Sequence, residues 1–178
     1  TTLKSINNRI PNSEITIIDT PGLIPDGRIS DLISVENGLK LVPAGEISRK
    51  TFKLEENQVF MFDVFCRFKI LENELLKSGS KPIFSAYASK SVKFHVAREE
   101  RVEALLSGSF FEILEGSEKK KYFQNEFVTY EVEIEENEEL VIAGLGWINV
   151  KRGPLKIQLE VPEKVKVVIR PSIFRNKK

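Results

Sequence analysis

Cysteine is almost absent from this sequence of 178 residues, since Cys66 is the only one. The chain can therefore form neither an internal disulfide nor a cysteine-rich zinc site, which fits a reducing compartment. Long apolar runs are also lacking: none approaches the roughly 20 residues of a membrane-spanning helix. The polar first residues do not have the pattern of a signal peptide. We expect a cytoplasmic protein with no membrane partner.

An excess of charge of one sign is missing as well. The 27 basic and 26 acidic side chains leave a net charge of +1, so whole-chain charge gives no reason to invoke a polyanion partner. Any surface that binds nucleic acid must be local. With 41% hydrophobic residues the chain can bury a core, either as one domain or as two small ones.

Methionine occurs once, at Met61, and the chain begins with Thr1. We expect a processed or cut piece of a longer protein. The absence of a motif from this sequence then says little about the parent.

The first 40 residues resemble part of an α/β unit. Residues 15 to 18 are apolar or β-branched without alternation, which is typical of a strand buried on both faces. Ile29, Leu32 and Ile33 then recur at helical spacing, which predicts a short helix that ends near Gly38.

Beyond about residue 41 the pattern changes to alternation with a period of two, which predicts a mostly antiparallel sheet structure. We expect strands in four regions: residues 60–68 as one central strand, 92–96, 128–134, and 155–169 with a turn at 162–164.

One helix is predicted in this part of the chain, from Arg98 to Ser107, because Val102, Leu105 and Leu106 form an apolar stripe that Gly108 terminates. Residues 115–125 contain three consecutive lysines and no apolar period, so we interpret them as a mobile connection. The predicted fold class is α+β.

A D-x-x-G motif, Asp19-Thr20-Pro21-Gly22, follows the first predicted strand. In nucleotide switches of this form, a carboxylate at the strand tip orients Mg²⁺, and the glycine lets its backbone approach the γ-phosphate. The same four residues are also ordinary turn chemistry, with proline presetting φ and glycine relaxing the backbone. The motif alone leaves both interpretations open.

The rest of a nucleotide site is absent from the sequence. There is no G-x-x-x-x-G-K-[ST] phosphate loop and no Asn-Lys-x-Asp motif to recognise guanine. Leu23 stands where Ras-like proteins place a glutamine that positions water, so no catalytic base is assigned. We expect the chain by itself to bind no GTP.

Three further stretches carry a family resemblance: residues 39–54, Ala143-Gly144-Leu145-Gly146-Trp147 and Val168-Ile169-Arg170-Pro171-Ser172. With the D-x-x-G motif and the preceding Thr1-Thr2-Leu3, they cover most of the chain. The sequence resembles the YqeH-like family of circularly permuted bacterial GTPases, in which the phosphate loop and base-reading motif precede the switch motifs.

The resemblance implies roles for particular residues. Thr2 would be the Mg²⁺-ligating threonine of switch I, Asp19 the Mg²⁺-orienting carboxylate and Gly22 the γ-phosphate contact. The parent protein would bind GTP or GDP with Mg²⁺, hydrolyse GTP, and act on the maturing small ribosomal subunit through rRNA or a ribosomal protein.

The resemblance also implies two parts: residues 1–40 as the end of the P-loop GTPase domain, and 41–178 as a β-rich domain that contacts RNA or protein. Candidate contacts are Lys119, Lys120, Lys121 and Arg170, although a solvated loop and a salt-bridged edge residue are the alternative interpretations. Trp147 is expected to pack into the core, and most aromatic side chains to alternate inward. The rival hypothesis is a stand-alone β-rich binding module without a nucleotide site.

Overall fold

The structure, a computed structural model, describes residues 6–9, 16–19, 26–71 and 74–174, the first two ranges at the level of the backbone. Ten strands form two five-stranded sheets in which every neighbouring pair is antiparallel. Sheet I has the strand order β7-β4-β5-β11-β8, and sheet II has the order β12-β9-β10-β6-β3. Their strands are β3 (Ser48–Lys53), β4 (Gln58–Phe62), β5 (Cys66–Ile70), β6 (Ile83–Ala88), β7 (Phe94–Arg98), β8 (Phe127–Ile134), β9 (Glu138–Ile142), β10 (Gly146–Arg152), β11 (Leu155–Pro162) and β12 (Val167–Pro171).

The two sheets pack face to face around a cluster of phenylalanines. Phe60 of sheet I contacts Phe52 and Phe84 of sheet II, with ring centroids 4.9 and 5.1 Å apart. Alternation along the strands sends one set of side chains into this interface, because successive residues of a strand point to opposite faces. Burial of this apolar area is the main term that stabilises the domain.

The β-rich antiparallel architecture expected from the period of two is confirmed, with one correction. Residues 60–68 form two paired strands, β4 and β5, and not one central strand. The chain reverses at Asp63, whose φ of 52° lies in the left-handed region that aspartate tolerates. An apolar run on both sides of the turn concealed it.

The predicted helix at residues 98–107 is present as a 3₁₀ turn, Glu99–Arg101, that continues into helix α3 (Val102–Ser107). The expectation of a single helix is wrong, since the described residues also contain α2 (Glu74–Lys77) and α4 (Gly116–Tyr122). No helix in the described ranges has the length and apolarity needed to cross a membrane.

Helix α4 replaces the mobile connection that was predicted for residues 115–125. Its last residue, Tyr122, is fully buried, and the hydroxyl donates a hydrogen bond of 2.7 Å to the carbonyl of Phe65. The buried Tyr122 side chain therefore holds residues 115–125 against the core, although apolar residues do not recur there at helical spacing.

At the start of the chain, β1 (Ile6–Arg9) pairs antiparallel with β2 (Thr16–Asp19). The helix expected up to Gly38 is divided into a 3₁₀ turn, Ile29–Leu32, and helix α1 (Val35–Leu41). Ser34 separates them because its hydroxyl caps α1 by accepting a hydrogen bond from the amide of Asn37. Residues 26–41 pack on the β-rich part, and the domain division near residue 40 stays a prediction.

Candidate functional site

The residues expected at the nucleotide switch lie at the edge of what the structure describes. Asp19 is the last residue of β2, at the strand end where the D-x-x-G motif requires it. Thr2 and Gly22 lie outside the described residues, as do Thr20 and Pro21. The roles of Thr2, Asp19 and Gly22 therefore stay predictions.

The segment that follows the D-x-x-G motif is hydrogen-bonded to two turns of the β-rich part. The amide of Lys166 donates to the carbonyl of Gly27 at 2.8 Å, and the amide of Ile29 donates to the carbonyl of Ala143 at 2.9 Å. Ile29 is fully buried. Gly144 has a φ of +73°, and a Cβ there would lie 2.7 Å from the Cβ of Arg28, so the contact requires glycine. The Ala143-Gly144 turn thus holds the chain at Arg28 and Ile29.

Sheet II has an outer face, which points away from sheet I. The strand register aligns five side chains in one row across it: Arg49, Tyr87, Trp147, Val141 and Val168. A second, polar row runs beside the first: Thr51, Ser85, Asn149, Glu139 and Arg170. Three of these polar residues are fully buried, namely Ser85, Asn149 and Glu139.

The C-terminal strap, defined as Ser172 to Phe174, crosses the outer face and buries the polar row. Glu139 holds the strap: its carboxylate accepts hydrogen bonds from the Ser172 hydroxyl at 3.1 Å and the Ile173 amide at 3.2 Å. Asn149 donates to the same carboxylate at 3.3 Å and to the Ser172 hydroxyl at 2.6 Å. A buried carboxylate is tolerated here because these donors replace the water that it lost.

Three aromatic rings form a continuous stack on this face. The rings of Tyr87 and Trp147 lie 4.9 Å apart with an interplanar angle of 4°. Phe174 of the strap stacks on Tyr87 at 5.2 Å and 23°. Flat apolar rings in parallel planes are the surface on which unpaired bases stack in proteins that bind single-stranded nucleic acids.

Positive charge surrounds the stack. The Arg49 guanidinium lies 5.8 Å from the centre of the Tyr87 ring, and the Lys151 ammonium lies 5.7 Å from that of Phe174. Burial, and secondarily the neighbouring Arg49 charge, lowers the pKa of Lys151, whereas Glu139 acts in the opposite direction. Within the part of the chain that the structure describes, neither cation has an acidic side chain within ion-pair distance.

The cationic residues named from the sequence are distributed differently. Lys119, Lys120 and Lys121 lie on α4, away from sheet II, and the Lys119 ammonium donates to the Gly108 carbonyl at 2.7 Å. Arg170 lies on the outer face of sheet II and contacts the buried Glu139 carboxylate, with its Nε at 3.1 Å from Oε2. A role in binding RNA or protein stays a prediction for all four.

The described residues offer little for covalent or metal chemistry. The Cys66 thiol is buried, and burial raises its pKa, which makes it a poor nucleophile. No group of three or more metal-ligating side chains occurs in the ranges that the structure covers. The outer face of sheet II is therefore the strongest candidate for a binding site there.

Sequence reasoning missed this site. Trp147 was expected in the core, but it lies partly exposed on the outer face, and Tyr87 and Phe174 lie there too. The phenylalanines of β3 to β6 do alternate inward, as expected. One signal was available, since Arg49, Thr51 and Lys53 alternate with Phe52, which marks one face of β3 as polar and cationic.

Comparison with known proteins gives two matches. A family model described as YqeH-like, C-terminal, matches residues 81–173, which is just over half of the chain. The chain is also 26% identical over 177 residues to a Bacillus subtilis (strain 168) protein described as uncharacterized protein YqeH. That match covers 98% of this chain and 46% of the relative, so the chain spans about half the length of the curated relative that it matches.

Proposed function

Because this chain belongs to the YqeH-like C-terminal family, we propose that it is the carboxy-terminal part of a GTP-binding, GTP-hydrolysing protein that acts in assembly of the small ribosomal subunit. The observation that carries the proposal is the D-x-x-G motif, Asp19 to Gly22, which begins on the last residue of a strand. This is where a nucleotide switch needs its carboxylate.

The register of the first two strands supports a shared site for Thr2 and Asp19. Ile6 pairs with Asp19, so the first residue of β1 lies beside the last residue of β2. Thr2 is four residues before Ile6, which at about 3.3 Å per residue is at most roughly 13 Å of chain. A threonine hydroxyl and a carboxylate are hard oxygen ligands of the kind that Mg²⁺ takes beside a nucleotide phosphate.

Each of these residues has a defined part in the proposal. Thr2 and Asp19 would hold the Mg²⁺ that accompanies GTP, and the Gly22 amide would donate to the γ-phosphate. When GTP is bound, Mg²⁺ supplies neutralisation of the phosphate charge. In the proposal, the phosphate loop and the base-reading motif are supplied by a part of the longer protein outside this sequence, which spans 46% of its relative.

The contacts behind the switch motif support a second part of the proposal, that the β-rich part responds to the nucleotide. Gly27 and Ile29 follow the motif by five and seven residues and are hydrogen-bonded to the turns at Lys166 and Ala143. Movement of the switch on hydrolysis would therefore act on the turn that leads into β10. We place the contact with rRNA or a ribosomal protein on this β-rich part.

Calorimetric titration of GTP with Mg²⁺ into the 178-residue chain tests whether this chain, which lacks a phosphate loop, binds GTP. We expect no measurable heat of binding, since no residue cradles the α- and β-phosphates. The longer protein should bind GTP, and its Asp19→Ala variant should lose on the order of 100-fold in Mg²⁺-dependent hydrolysis. Micromolar GTP affinity in the 178-residue chain, or full hydrolysis by the variant, would refute the proposal.

The gene offers a cheaper discriminator. A reading frame that continues upstream into Asn-Lys-x-Asp and then a phosphate loop supports the GTPase. A start codon directly before Thr1 would favour a stand-alone β-rich binding module.

A further inference from the structure

The outermost ring of the stack on sheet II belongs to the strap and is weakly held. Phe174 is 42% exposed and contacts the rest of the described protein through the Tyr87 ring and the Lys151 ammonium. Its amide is hydrogen-bonded at 3.1 Å to Ser172, within the strap itself. Glu139 and Asn149 anchor Ser172 and Ile173, so the Phe174 ring is the part of the strap that can move away at low free energy compared with the core strands.

Removal of Phe174 would uncover a site of a defined kind. Tyr87 is only 6% exposed, because the rings of Trp147 and Phe174 stack on it and the Arg49 guanidinium lies over it. A planar ring that replaced Phe174 would stack on Tyr87 at the same distance. Base stacking on an aromatic side chain contributes about 1–3 kcal/mol per base in single-strand binding.

Two buried polar atoms beside the stack have no hydrogen-bond partner in the described structure: Nε1 of Trp147, a donor, and Oδ1 of Asn149, an acceptor. Asn149 is fully buried. Buried polar atoms without a partner are uncommon and costly. The edge of a base carries both donors and acceptors, so it can satisfy groups of either kind.

The charges complete the match with a polynucleotide. Arg49 and Lys53 lie exposed on β3, and Lys151 lies on β10, all on the outer face. Glu139 is the acidic group among the two rows, and Arg170 together with the strap occupies its oxygens. Phosphates that follow a stacked base therefore meet cations, and association should weaken as salt rises.

We propose that the outer face of sheet II binds a single-stranded polynucleotide, with an unpaired base stacked on Tyr87 in the place of Phe174 and the adjacent phosphates against Arg49 and Lys151. The Phe174 ring then acts as a displaceable cover over the base site. The proposal rests on the proposed function for the identity of the polynucleotide as RNA. The stacking and charge chemistry is shared by RNA and single-stranded DNA.

The sole tryptophan of the chain, Trp147, supplies the readout. Its fluorescence is measured while a 12-residue oligouridylate RNA, or a DNA oligomer of equal length, is added at about 50 mM and about 200 mM salt. We expect saturable quenching with weaker affinity at the higher salt. Equal affinity for RNA and DNA would show that the protein recognises the base and the phosphate. A preference for RNA would show that it also contacts the 2′-hydroxyl. Absence of quenching by both oligomers at the lower salt would overturn the proposal.

Variants separate the parts of the site. Phe174→Ala should bind the oligomer at least about 3-fold more tightly, because the cover is lost. Tyr87→Leu should bind at least about 5-fold more weakly, which corresponds to the lower end of the stacking range. The double variant Arg49→Gln with Lys151→Gln leaves the buried rings unchanged. It should bind the oligomer about 10-fold more weakly and show a shallower salt dependence.

A matched control, Arg101→Gln with Lys156→Gln, also removes one arginine and one lysine charge. Arg101 lies next to sheet I, and Lys156 lies on β11 within it. The affinity of this control should stay within about 2-fold of the parent chain. An equal loss in both charge pairs, or no gain from Phe174→Ala, would overturn the proposed site. None of these positions belongs to the nucleotide switch, so GTP hydrolysis that persists in the longer protein would leave the proposed function standing.

Discussion

At the scale of single residues, Asp63 shows how one buried carboxylate shapes a turn. It is 1% exposed, and its two oxygens accept the amides of Val64 at 3.0 Å and Lys93 at 3.1 Å. The carboxylate thus ties the β4–β5 turn to the loop before β7. Burial outweighs these hydrogen bonds and raises the pKa of Asp63 to about 6.

This pKa predicts a dependence of stability on pH. The folded protein holds the proton of Asp63 to a higher pH than the unfolded chain does, so the contribution is complete below about pH 4 and is lost as pH rises through 6. The free energy of unfolding should fall by up to about 3 kcal/mol from this group between pH 4 and pH 7.

Urea unfolding of the parent chain and of Asp63→Asn at pH 4, 5, 6 and 7 measures this contribution. The difference between the two proteins removes the opposite effect of carboxyl groups such as Asp31 and Glu118, whose pKa values are lowered by hydrogen bonds from Arg28 and Ser34 respectively. We expect the free energy of unfolding of the unmutated chain, relative to that of Asp63→Asn, to fall as pH rises. A difference that stays constant with pH would contradict the assignment.

At the scale of elements, two of the contacts between residues 27–37 and the β-rich part involve strand β10 and helix α4. The first is strand β10, which begins at Gly146 and leads from the turn that holds Ile29 to the outer face at Trp147. The second is helix α4, whose Glu118 accepts hydrogen bonds from the Ser34 amide and the Asn37 side chain, both at 2.6 Å.

The first contact predicts that Gly146→Ala is strongly destabilising. A Cβ at this position would lie 2.2 Å from the carbonyl oxygen of Tyr87 on the paired strand, so β6 and β10 must separate locally. We expect a loss of at least about 2 kcal/mol in the free energy of unfolding, measured with urea. Gly45→Ala is the control, because a Cβ there meets nothing within 4 Å. Equal stabilities of the two variants would show that the close approach is relieved without cost.

The second contact predicts that Glu118→Ala loosens α1. Loss of two hydrogen bonds to a carboxylate should lower the free energy of unfolding by about 1–2 kcal/mol and speed hydrogen exchange of the amides in Val35–Leu41. Glu115→Ala is the control. Glu115 lies at the start of α4, the helix that carries Glu118, and its side chain makes no capping hydrogen bond. Unchanged exchange in α1 would mean that Glu118 does not hold it.

At the scale of the whole molecule, the hydrogen bonds of Gly27 and Ile29 form a short path from the segment behind the proposed switch motif to the turns of sheet II. If the path couples the two, the longer protein should bind a single-stranded RNA with an affinity that differs between the GTP-analogue and GDP states, by about 5- to 100-fold. Fluorescence anisotropy with a labelled oligomer measures both states. Identical affinities would show that the path transmits nothing.

The limits of sequence reasoning lie at this scale too. Alternation was enough to predict β11, because this strand buries one face along its whole length. In β8 the same alternation marks the strand, although only Ile134 is buried and Tyr130 is exposed. Helix α4 was missed because its anchor, Tyr122, is bonded to Phe65, 57 residues away. The site was missed for the same reason: Tyr87 and Trp147 become neighbours only through the β6–β10 register, which no local pattern specifies.

The most direct test of the account is a structure of the longer protein with Mg²⁺ and a non-hydrolysable GTP analogue. We predict that the Thr2 hydroxyl binds the metal at about 2.1 Å and that the Asp19 carboxylate contacts the metal directly or through one water. The Gly22 amide should lie about 3 Å from a γ-phosphate oxygen. A nucleotide that binds with these three residues more than about 10 Å away, well beyond direct or water-mediated contact, would contradict it.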